Sequence, residues 1–332
     1  MIKFKHLIIA LAAFGAASAQ AAGVDLGNYQ VTGNYKLDSL FGTSGRGVSG
    51  LEASGVTYDW DTGTLFYVGD EGTGAVEIST TGQTLSTMRF SWPAGVKGDA
   101  EGITYLGNGQ FATVDERAQN IYQFTYAGNT GFNTPNVTSG VNLANVPWTN
   151  IGPNVGNSGL EGLSYDRRDG SFVTIKQEDP ENVRAGHLSF ATGATGGNSS
   201  MTPLFDPSLL GLSTLSDVQT LSGVTALAGT PQADDLLILS LGSKKLVMAS
   251  RTGQVLSSFD LSTVDPDNAI EGVTIGADGT IYLVGEGSGS DPHSVLVVLG
   301  STAPIPEPET YALMLAGLAV LGFAARRRKQ QA

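Results

Sequence analysis

Residues 98–105 read GDAEGITY, and the pattern at their centre returns along the chain. In each copy a glycine precedes alternating apolar and polar residues, as in a strand with one buried face. The glycines lie 47, 60, 61 and 49 residues apart, at Gly55, Gly102, Gly162, Gly223 and Gly272. A repeat of this length with several short strands is typical of the blades of a β-propeller.

Each copy continues into a hairpin and then into further strands. The predicted first strands are 54–58, 101–105, 161–165, 222–226 and 271–275. Turn sequences rich in Asp, Asn and Gly follow at 61–63, 107–109, 168–170, 234–235 and 277–279, as expected for hairpins. Second strands are predicted at 65–68, 111–114, 172–175, 236–239 and 281–284. Later strands are predicted at 74–78, 84–88, 121–124, 245–248, 254–259 and 294–299.

These strands predict an all-β fold, a propeller of five four-stranded blades over residues 50–300. We expect residues 29–37 to form the outer strand of the last blade and close the ring, which protects the open sheet edges. The repeated glycines would let neighbouring inner strands approach closely. Six blades or a β-sandwich are the alternatives, because 127–158 and 190–220 are long enough to hold another blade.

The composition fits this fold and excludes several others. The chain has 332 residues, of which 45 are Gly and 15% are charged. That composition argues against a coiled coil, a collagen or a disordered acidic tail. The absence of cysteine excludes thiol catalysis, disulfides and cysteine-type zinc sites.

The N-terminus has the features of a secretory signal peptide, predicted over residues 1–22. Lys3 and Lys5 precede a short apolar run, and small residues allow cleavage after Ala19, Ala21 or Ala22. The apolar run is shorter than the roughly 20 residues that a membrane span needs. The domain that remains after export is predicted to cover residues 23–303.

The C-terminal segment 304–332 also has the features of a targeting segment. Pro306, Glu307 and Pro308 precede an apolar stretch, and Arg326, Arg327 and Arg328 follow it. An apolar helix with a basic end is a stop-transfer segment, here a short transmembrane helix. The order of the three parts resembles the PEP-CTERM sorting signal of Gram-negative bacteria. The resemblance implies transient membrane association, cleavage by an exosortase-type protease, and release to the periplasm, the outer surface or the extracellular matrix.

Residues 23–303 carry 12 basic and 29 acidic residues, a net charge of −17. Such a surface repels phosphate backbones, so nucleic acid is not an expected partner. The acidic residues concentrate where the first strands begin and the second strands end, which is one mouth of the channel. The candidates are Asp70, Glu71, Asp99, Glu101, Asp115, Glu116, Glu161, Glu178, Glu271 and Glu286.

Carboxylates gathered at one mouth need compensation. Shared protons, basic partners (Arg117 and Lys176) or a hard cation could supply it, and calcium suits carboxylate and carbonyl oxygens. The alternative is structural: each Glu would accept hydrogen bonds from backbone N–H groups of the neighbouring blade.

Residues 98–105, 114–117, 159–166 and 175–180 resemble the SdiA-regulated family over about residues 50–300. That resemblance implies an exported five-bladed propeller with a calcium site and without an established catalytic activity. The fourth unit departs from the family pattern, because it reads Ser-Leu-Gly at 240–242 where an acid is common. The ligand set is therefore expected to come from four blades.

Three functions fit these observations. The first is a non-catalytic, calcium-stabilised binding module for a saccharide or protein ligand. The second is a metal-dependent esterase or phosphoesterase like the phytase-type propellers, in which the cation activates water. The third is a structural matrix protein. Only His187 and His293 follow the signal peptide, and no Ser-His-Asp order stands out, so no catalytic residue is assigned.

Overall fold

The computed structural model describes residues 23–38, 40–41, 48–128, 140–264, 269–287 and 291–303. The predicted signal peptide and the C-terminal sorting segment lie outside the described residues. Within the described ranges, no helix has the length and apolarity that a membrane crossing requires.

The described residues contain short strands and short 3₁₀ helices. The strands are β1 (Tyr29–Lys36), β2 (Leu40–Phe41), β3 (Val48–Ser49), β4 (Ala53–Asp59), β5 (Thr64–Gly69), β6 (Gly74–Ile78), β7 (Thr84–Ser91), β8 (Ala100–Gly107), β9 (Gln110–Asp115), β10 (Asn120–Thr125), β11 (Gly140–Asn142), β12 (Trp148–Asn150), β13 (Leu160–Asp166), β14 (Ser171–Lys176), β15 (Asn182–His187), β16 (Ser200–Phe205), β17 (Asp217–Thr220), β18 (Leu236–Ser240), β19 (Lys245–Ala249), β20 (Val255–Asp260), β21 (Ile270–Ile275), β22 (Ile281–Gly285) and β23 (Val295–Ser301). The 3₁₀ helices are Leu26–Asn28, Leu143–Asn145, Pro207–Leu210, Leu221–Gly223, Thr225–Leu227 and Pro231–Asp234.

The strands form a five-bladed propeller, as predicted. From the channel outward, blade one is β4-β5-β6-β7, blade two β8-β9-β10-β12, blade three β13-β14-β15-β16, blade four β17-β18-β19-β20 and blade five β21-β22-β23-β1. Strand β1 pairs antiparallel with β23, so the N-terminal strand closes the ring. Blade one gains a fifth, short strand, because β11 pairs parallel with β7.

The insertions at 127–158 and 190–220 supply strands to blades one to four. In their described parts they provide β11 of blade one, β12 of blade two, β16 of blade three and β17 of blade four. A sixth blade is therefore not built from the described residues of either insertion.

The apolar core lies between neighbouring blades. One cluster joins Leu237 and Leu239 of blade four to Val273 and Leu283 of blade five, all fully or almost fully buried. The N-terminal Val24 belongs to the same cluster. Facing sheets bury their apolar sides against each other, which is why the second strands read as continuous apolar runs.

The inner strands are tied to one another by side-chain hydroxyls. The N–H of Tyr105 donates to Thr57 Oγ1 at 3.0 Å, and the N–H of Tyr165 donates to Thr104 Oγ1 at 3.0 Å. The N–H of Thr220 donates to Ser164 Oγ at 2.9 Å. The remaining bonds run from Thr274 Oγ1 to Gln219 Oε1 at 3.0 Å and from the N–H of Tyr58 to Thr274 Oγ1 at 3.1 Å. These bonds close a ring through all five blades, which we call the hydroxyl ring.

The repeated glycines do allow the inner strands to approach. A Cβ on Gly55 would lie 2.5 Å from the Glu101 carbonyl oxygen of blade two, and one on Gly102 would lie 2.7 Å from the Glu161 carbonyl oxygen. Real Cβ atoms do not come this close to backbone. Glycine is therefore required at these positions by contact between blades.

The prediction for the inner strand of blade four was wrong. Residues 222–226 lie in the 3₁₀ helices Leu221–Gly223 and Thr225–Leu227 and the residue between them, and the inner strand is β17. A Cβ on Gly223 would meet nothing within 4 Å, so this glycine lacks the contact that the others share. The hydroxyl ring aligns Thr220 with Tyr105 and Tyr165, which places Asp217 where the other blades have glycine. The predicted turn at 234–235 is instead the end of the helix Pro231–Asp234.

Candidate functional site

Strand pairing brings the acidic residues to one end of the blades. The first and second strands are antiparallel, so the start of β4 faces the end of β5, with Ala53 opposite Gly69. In the same way Ala100 lies opposite Asp115 and Ile270 lies opposite Gly285. Acids at the start of an inner strand therefore share one channel mouth with acids that follow a second strand.

Local irregularities in the inner strands determine where these glutamates sit. The pairing register shifts between Leu160 and Gly162 and between Ile270 and Gly272. It also shifts between Ala100 and Ile103. The residues without a paired partner at these bulges include Glu101, Glu161 and Glu271. A β-bulge redirects a side chain out of the regular alternation. Blade four has no such shift between β17 and β18, and it contributes no glutamate.

The carboxylates meet in two overlapping groups. Ligand atoms of Glu52, Asp70 and Glu286 lie within 4.8 Å of one another, and so do those of Asp70, Asp99 and Glu101. Asp70 belongs to both groups. We call these five residues together with Glu271 the carboxylate cluster; it draws on blades one, two and five.

Burial and mutual repulsion shift the pKa values of this cluster upward. Burial raises the pKa of Glu101 well above its usual range, and the charges of Asp70 and Glu271 add to the effect. Burial, followed by the charge of Glu286, raises the pKa of Glu271 to about 8. A side-chain hydrogen bond with Asp70, followed by burial, raises the pKa of Glu52 to about 8. Each shift means that the ionised form lacks compensation.

The basic residues Arg117 and Lys176 lie on the blade-two and blade-three side of the mouth. Arg117 forms an ion pair with Asp99. Its charge also opposes the upward pKa shifts that burial causes in Asp115 and Glu116. Lys176 donates through Nζ to the backbone carbonyl of Glu178 and, at 3.4 Å, to that of Pro180.

Glu116 accepts a backbone hydrogen bond from the neighbouring blade, as the structural alternative to a cation site predicts for the glutamates. Its Oε1 accepts a hydrogen bond of 3.2 Å from the N–H of Gly159, and its carbonyl accepts one of 3.3 Å from the N–H of Leu160. These bonds join blade two to blade three. Glu161 is buried beside it, and burial raises the pKa of Glu161 well above its usual range.

The structure places the other predicted residues around the cluster. Glu71 is exposed at the rim, and its charge acts on Glu52 and Glu286. Asp115 holds the turn after β9, because its Oδ1 accepts from the N–H of Ala118 at 2.8 Å. Glu178 lies apart from the cluster, where its carboxylate contacts Ser158 Oγ at 3.5 Å.

Sequence reasoning missed Glu52. The first repeat has Ser54 where three of the other repeats have glutamate, so the repeat pattern predicts its acids only after the second strand, at Asp70 and Glu71. Glu52 lies two residues before Ser54 with a φ of 52°, in the left-handed region. That conformation turns its carboxylate toward Asp70 and Glu286. A backbone conformation of this kind has no reliable signal in a single sequence.

Comparisons with known proteins agree with the fold and the sorting segment. The sequence profile of the family described as SdiA-regulated matches residues 34–288. A profile described as the PEP-CTERM protein-sorting motif matches residues 304–329, which implies export, sorting to the cell envelope and processing by exosortase-type machinery.

Several solved structures are similar at low identity. A luciferin-regenerating enzyme is 13% identical with a TM-score of 0.47, over 82% of this chain and 96% of that chain. Virginiamycin B lyase from Staphylococcus aureus is 12% identical with a TM-score of 0.39, over 77% and 81% of the two chains. XC5397 from Xanthomonas campestris, a gluconolactonase, is 9% identical with a TM-score of 0.42, over 82% and 99%. The family match covers most of the propeller, and the chain belongs to the SdiA-regulated family.

Proposed function

We propose that this protein is an exported propeller that holds a calcium ion at one channel mouth and acts as a non-catalytic binding module. The observation that carries the proposal is the pair of carboxylate groups that share Asp70, each with ligand atoms within 4.8 Å. These ligands come from separate blades, so a bound cation would also tie blades one, two and five together.

The charge around the cluster favours a cation over the other forms of compensation. The charges that act most strongly on Glu52, Glu101 and Glu271 all belong to acids. Arg117 is already paired with Asp99, and Lys176 is held by backbone carbonyls. A divalent cation would stabilise the ionised form of the carboxylates that these bases do not reach.

The donor set fits calcium. The cluster offers carboxylate oxygens alone, which are hard ligands, and calcium accepts about 6–8 oxygens in a flexible geometry. Glu52, Asp70 and Glu286 are only partly buried, so solvent can complete a coordination shell. Magnesium demands a stricter octahedral arrangement, and zinc prefers nitrogen and sulfur ligands.

The non-catalytic role rests on where the two histidines of the described domain lie. His293 Nδ1 is engaged with Asp291 at 2.5 Å, and His187 is exposed beside the Gly170 carbonyl. Neither histidine is in a metal-ligating group found among the described residues. The described cluster thus offers carboxyl groups and does not offer a nucleophile activated by a base.

A metal-dependent esterase or phosphoesterase is the second candidate, favoured by one observation. Glu271 interacts with Glu286 and Asp70 of the same cluster, and its carboxylate could take a proton from water beside the cation. The cation would supply Lewis-acid chemistry. Turnover of carboxylate or phosphate esters by the calcium-loaded protein, lost in Glu271→Gln, would favour the enzyme over the binding module.

The test of the proposal is a calorimetric titration of calcium into the metal-free full chain, with a thermal melt of the same samples. We expect saturable binding and a higher melting temperature, since a ligand at 100 times its Kd stabilises a protein by about 2.7 kcal/mol. Asp70→Asn and Glu52→Gln should each weaken calcium binding at least about tenfold.

Glu178→Gln is the matched control, because it removes one carboxylate from the same mouth outside the cluster. It should bind calcium as the unchanged protein does. Absence of calcium binding and of any thermal shift in the unchanged protein would overturn the proposal and leave the carboxylates as links between blades.

A further inference from the structure

A groove opens directly from the carboxylate cluster along the seam between blades one and two. Its lining includes Asp70, Thr73, Arg89, Trp92, Lys97 and Asp99. Asp70 and Asp99 are also members of the two metal-ligating groups. A ligand that lies in this groove therefore reaches the cation position at one end.

Trp92 is held in a defined position on the wall of the groove. Its ring packs edge to face against Phe90 at 6.0 Å and against Tyr122 at 5.7 Å, centroid to centroid. Gly98 has a φ of 83°, and a Cβ there would lie 2.5 Å from Trp92 Cδ1. The indole is nevertheless only partly buried. A fixed, partly exposed aromatic ring is suited to pack against the apolar face of a ring in a ligand.

The groove carries charges of both signs. Asp70, Glu71 and Asp99 supply negative charge to its lining, Lys97 supplies positive charge, and Arg89 also lines it. Lys97 is exposed on the connection between β7 and β8, and Arg89 is partly exposed near the end of β7. With a cation bound at Asp70, the groove presents positive charge to a ligand at the cation and at Lys97. An anionic ligand with several oxygen atoms satisfies this arrangement.

We propose that the groove binds an acidic saccharide, a short chain of sugar units that carry carboxylates. One sugar ring lies against Trp92, and carboxylate and hydroxyl oxygens reach the cation at Asp70 and the side chain of Lys97. The inference rests on the proposed calcium site and names its ligand class. An acidic saccharide meets the three features together: an apolar ring face of C–H groups, hydroxyls that coordinate calcium, and a carboxylate for Lys97.

The experiment uses the full chain and three probes. Trigalacturonic acid is titrated in the calorimeter with calcium and again with chelator, and galactotriose serves as the neutral counterpart. A pentaglutamate peptide carries the same kind of charge without sugar rings. We expect trigalacturonic acid to bind in calcium and to bind at least tenfold more weakly with chelator. Galactotriose and the peptide should each bind at least tenfold more weakly than trigalacturonic acid.

Variants identify the groove as the place of binding. Lys97→Gln should weaken binding of trigalacturonic acid about tenfold while calcium binding stays unchanged, because a charge-assisted hydrogen bond is lost. Lys245→Gln is the control: it makes the same change at an exposed position of blade four, and it should leave binding unchanged. Trp92→Ala should also weaken binding, and its thermal melt shows whether the fold survives.

The outcomes separate this inference from the proposed function. Calcium binding without binding of trigalacturonic acid overturns the saccharide site and leaves the calcium proposal standing. Binding of trigalacturonic acid that chelator does not change overturns the calcium bridge. Equal binding of the peptide overturns the saccharide as the ligand class. An equal loss of affinity for trigalacturonic acid in Lys97→Gln and Lys245→Gln overturns the groove as the binding site.

Discussion

The carboxylate of Asp217 in blade four accepts a hydrogen bond of 2.7 Å from the backbone N–H of Val273 in blade five. Its other oxygen accepts one of 2.7 Å from the N–H of Val218. The side chain is buried, and burial raises its pKa well above the usual range although both N–H groups oppose the shift. A side chain thus spans the gap between blades at the position where the other blades have glycine.

Removal of this link should destabilise the propeller. Asp217→Ala leaves the buried N–H of Val273 without its acceptor, and such a loss costs about 1–3 kcal/mol. Asp217→Asn keeps the shape of the side chain and one acceptor oxygen for the N–H of Val273, so it should lose less free energy of unfolding than the alanine variant. It should still lose some, because its amide NH2 cannot accept from the N–H of Val218. Urea denaturation of both variants measures the difference. An alanine variant as stable as the unchanged protein would show that the hydrogen bond to Val273 carries no net stability.

The corrected alignment of the fourth repeat has its own test. Gly55→Ala should lower the free energy of unfolding by about 1–3 kcal/mol, because the added methyl group overpacks the contact with blade two. Its Cβ would lie 2.5 Å from the Glu101 carbonyl oxygen and 2.8 Å from Gly102 Cα. Gly223→Ala is the matched control, since nothing lies within 4 Å of its Cβ. Equal losses in the two variants would contradict the placement of Gly223 outside the inner strand.

The hydroxyl ring can be broken at one bond. Thr104→Val keeps the shape of the side chain but removes the acceptor for the N–H of Tyr165, 3.0 Å away. We expect a loss of about 1–3 kcal/mol in unfolding free energy, because a buried donor is left unpaired. Thr174→Val is the control, since the buried Thr174 Oγ1 makes no hydrogen bond to the residues that the structure describes. That variant should be as stable as the unchanged protein, or more so, in the same denaturation series.

The carboxylate cluster predicts an unusual dependence of stability on pH. The pKa values of Glu52 and Glu271 are raised to about 8, so the folded chain binds more protons than the unfolded chain above their usual value of 4.5. The free energy of unfolding of the metal-free protein should therefore fall as pH rises from about 5 to about 8. Calcium should reduce this fall, and Glu271→Gln should reduce it without calcium. Melting temperatures across this range, with chelator and with calcium, measure both effects; a flat chelator series would contradict the prediction.

The sorting segment predicts a change in processing. Replacement of Pro306, Glu307 and Pro308 by alanine should block cleavage, because the motif at 304–329 implies recognition by exosortase-type machinery. The uncleaved chain should accumulate in the membrane fraction of a host that carries such a protease. Mass spectrometry of the C-terminus reads the result, and Thr310→Ala serves as the control. Normal cleavage of the triple variant would show that processing depends on other residues.

Much of the fold could be predicted because hairpins are local. The strand that precedes each turn, the turn itself and the strand after it lie within a short window, as at 101–114 and 271–284. Alternation and turn chemistry act within that window. The closing strand β1 was also predictable, since an unpaired sheet edge needs a partner and residues 29–37 had no blade of their own.

Blade four shows where this reasoning fails. The stretch 222–226 matches the repeat in letters, yet β17 at Asp217–Thr220 forms the inner strand. Asp217 fills the space between blades with its own carboxylate, a solution that glycine spacing does not reveal. Strands β11, β12, β15 and β16 were also missed. Most of their residues are partly or fully exposed, so their apolar alternation is weak.

The sequence alone determined the repeat, four of the five hairpins, the acidic character of one mouth and the sorting motif, because each depends on residues that are close together in the chain. Tertiary structure decided which carboxylates meet. Bulges place Glu101 and Glu271 at the mouth, and a left-handed backbone conformation turns Glu52 toward Glu286. Arg117 forms an ion pair with Asp99. These contacts join residues from different blades, and their distances depend on how the blades pack around the channel.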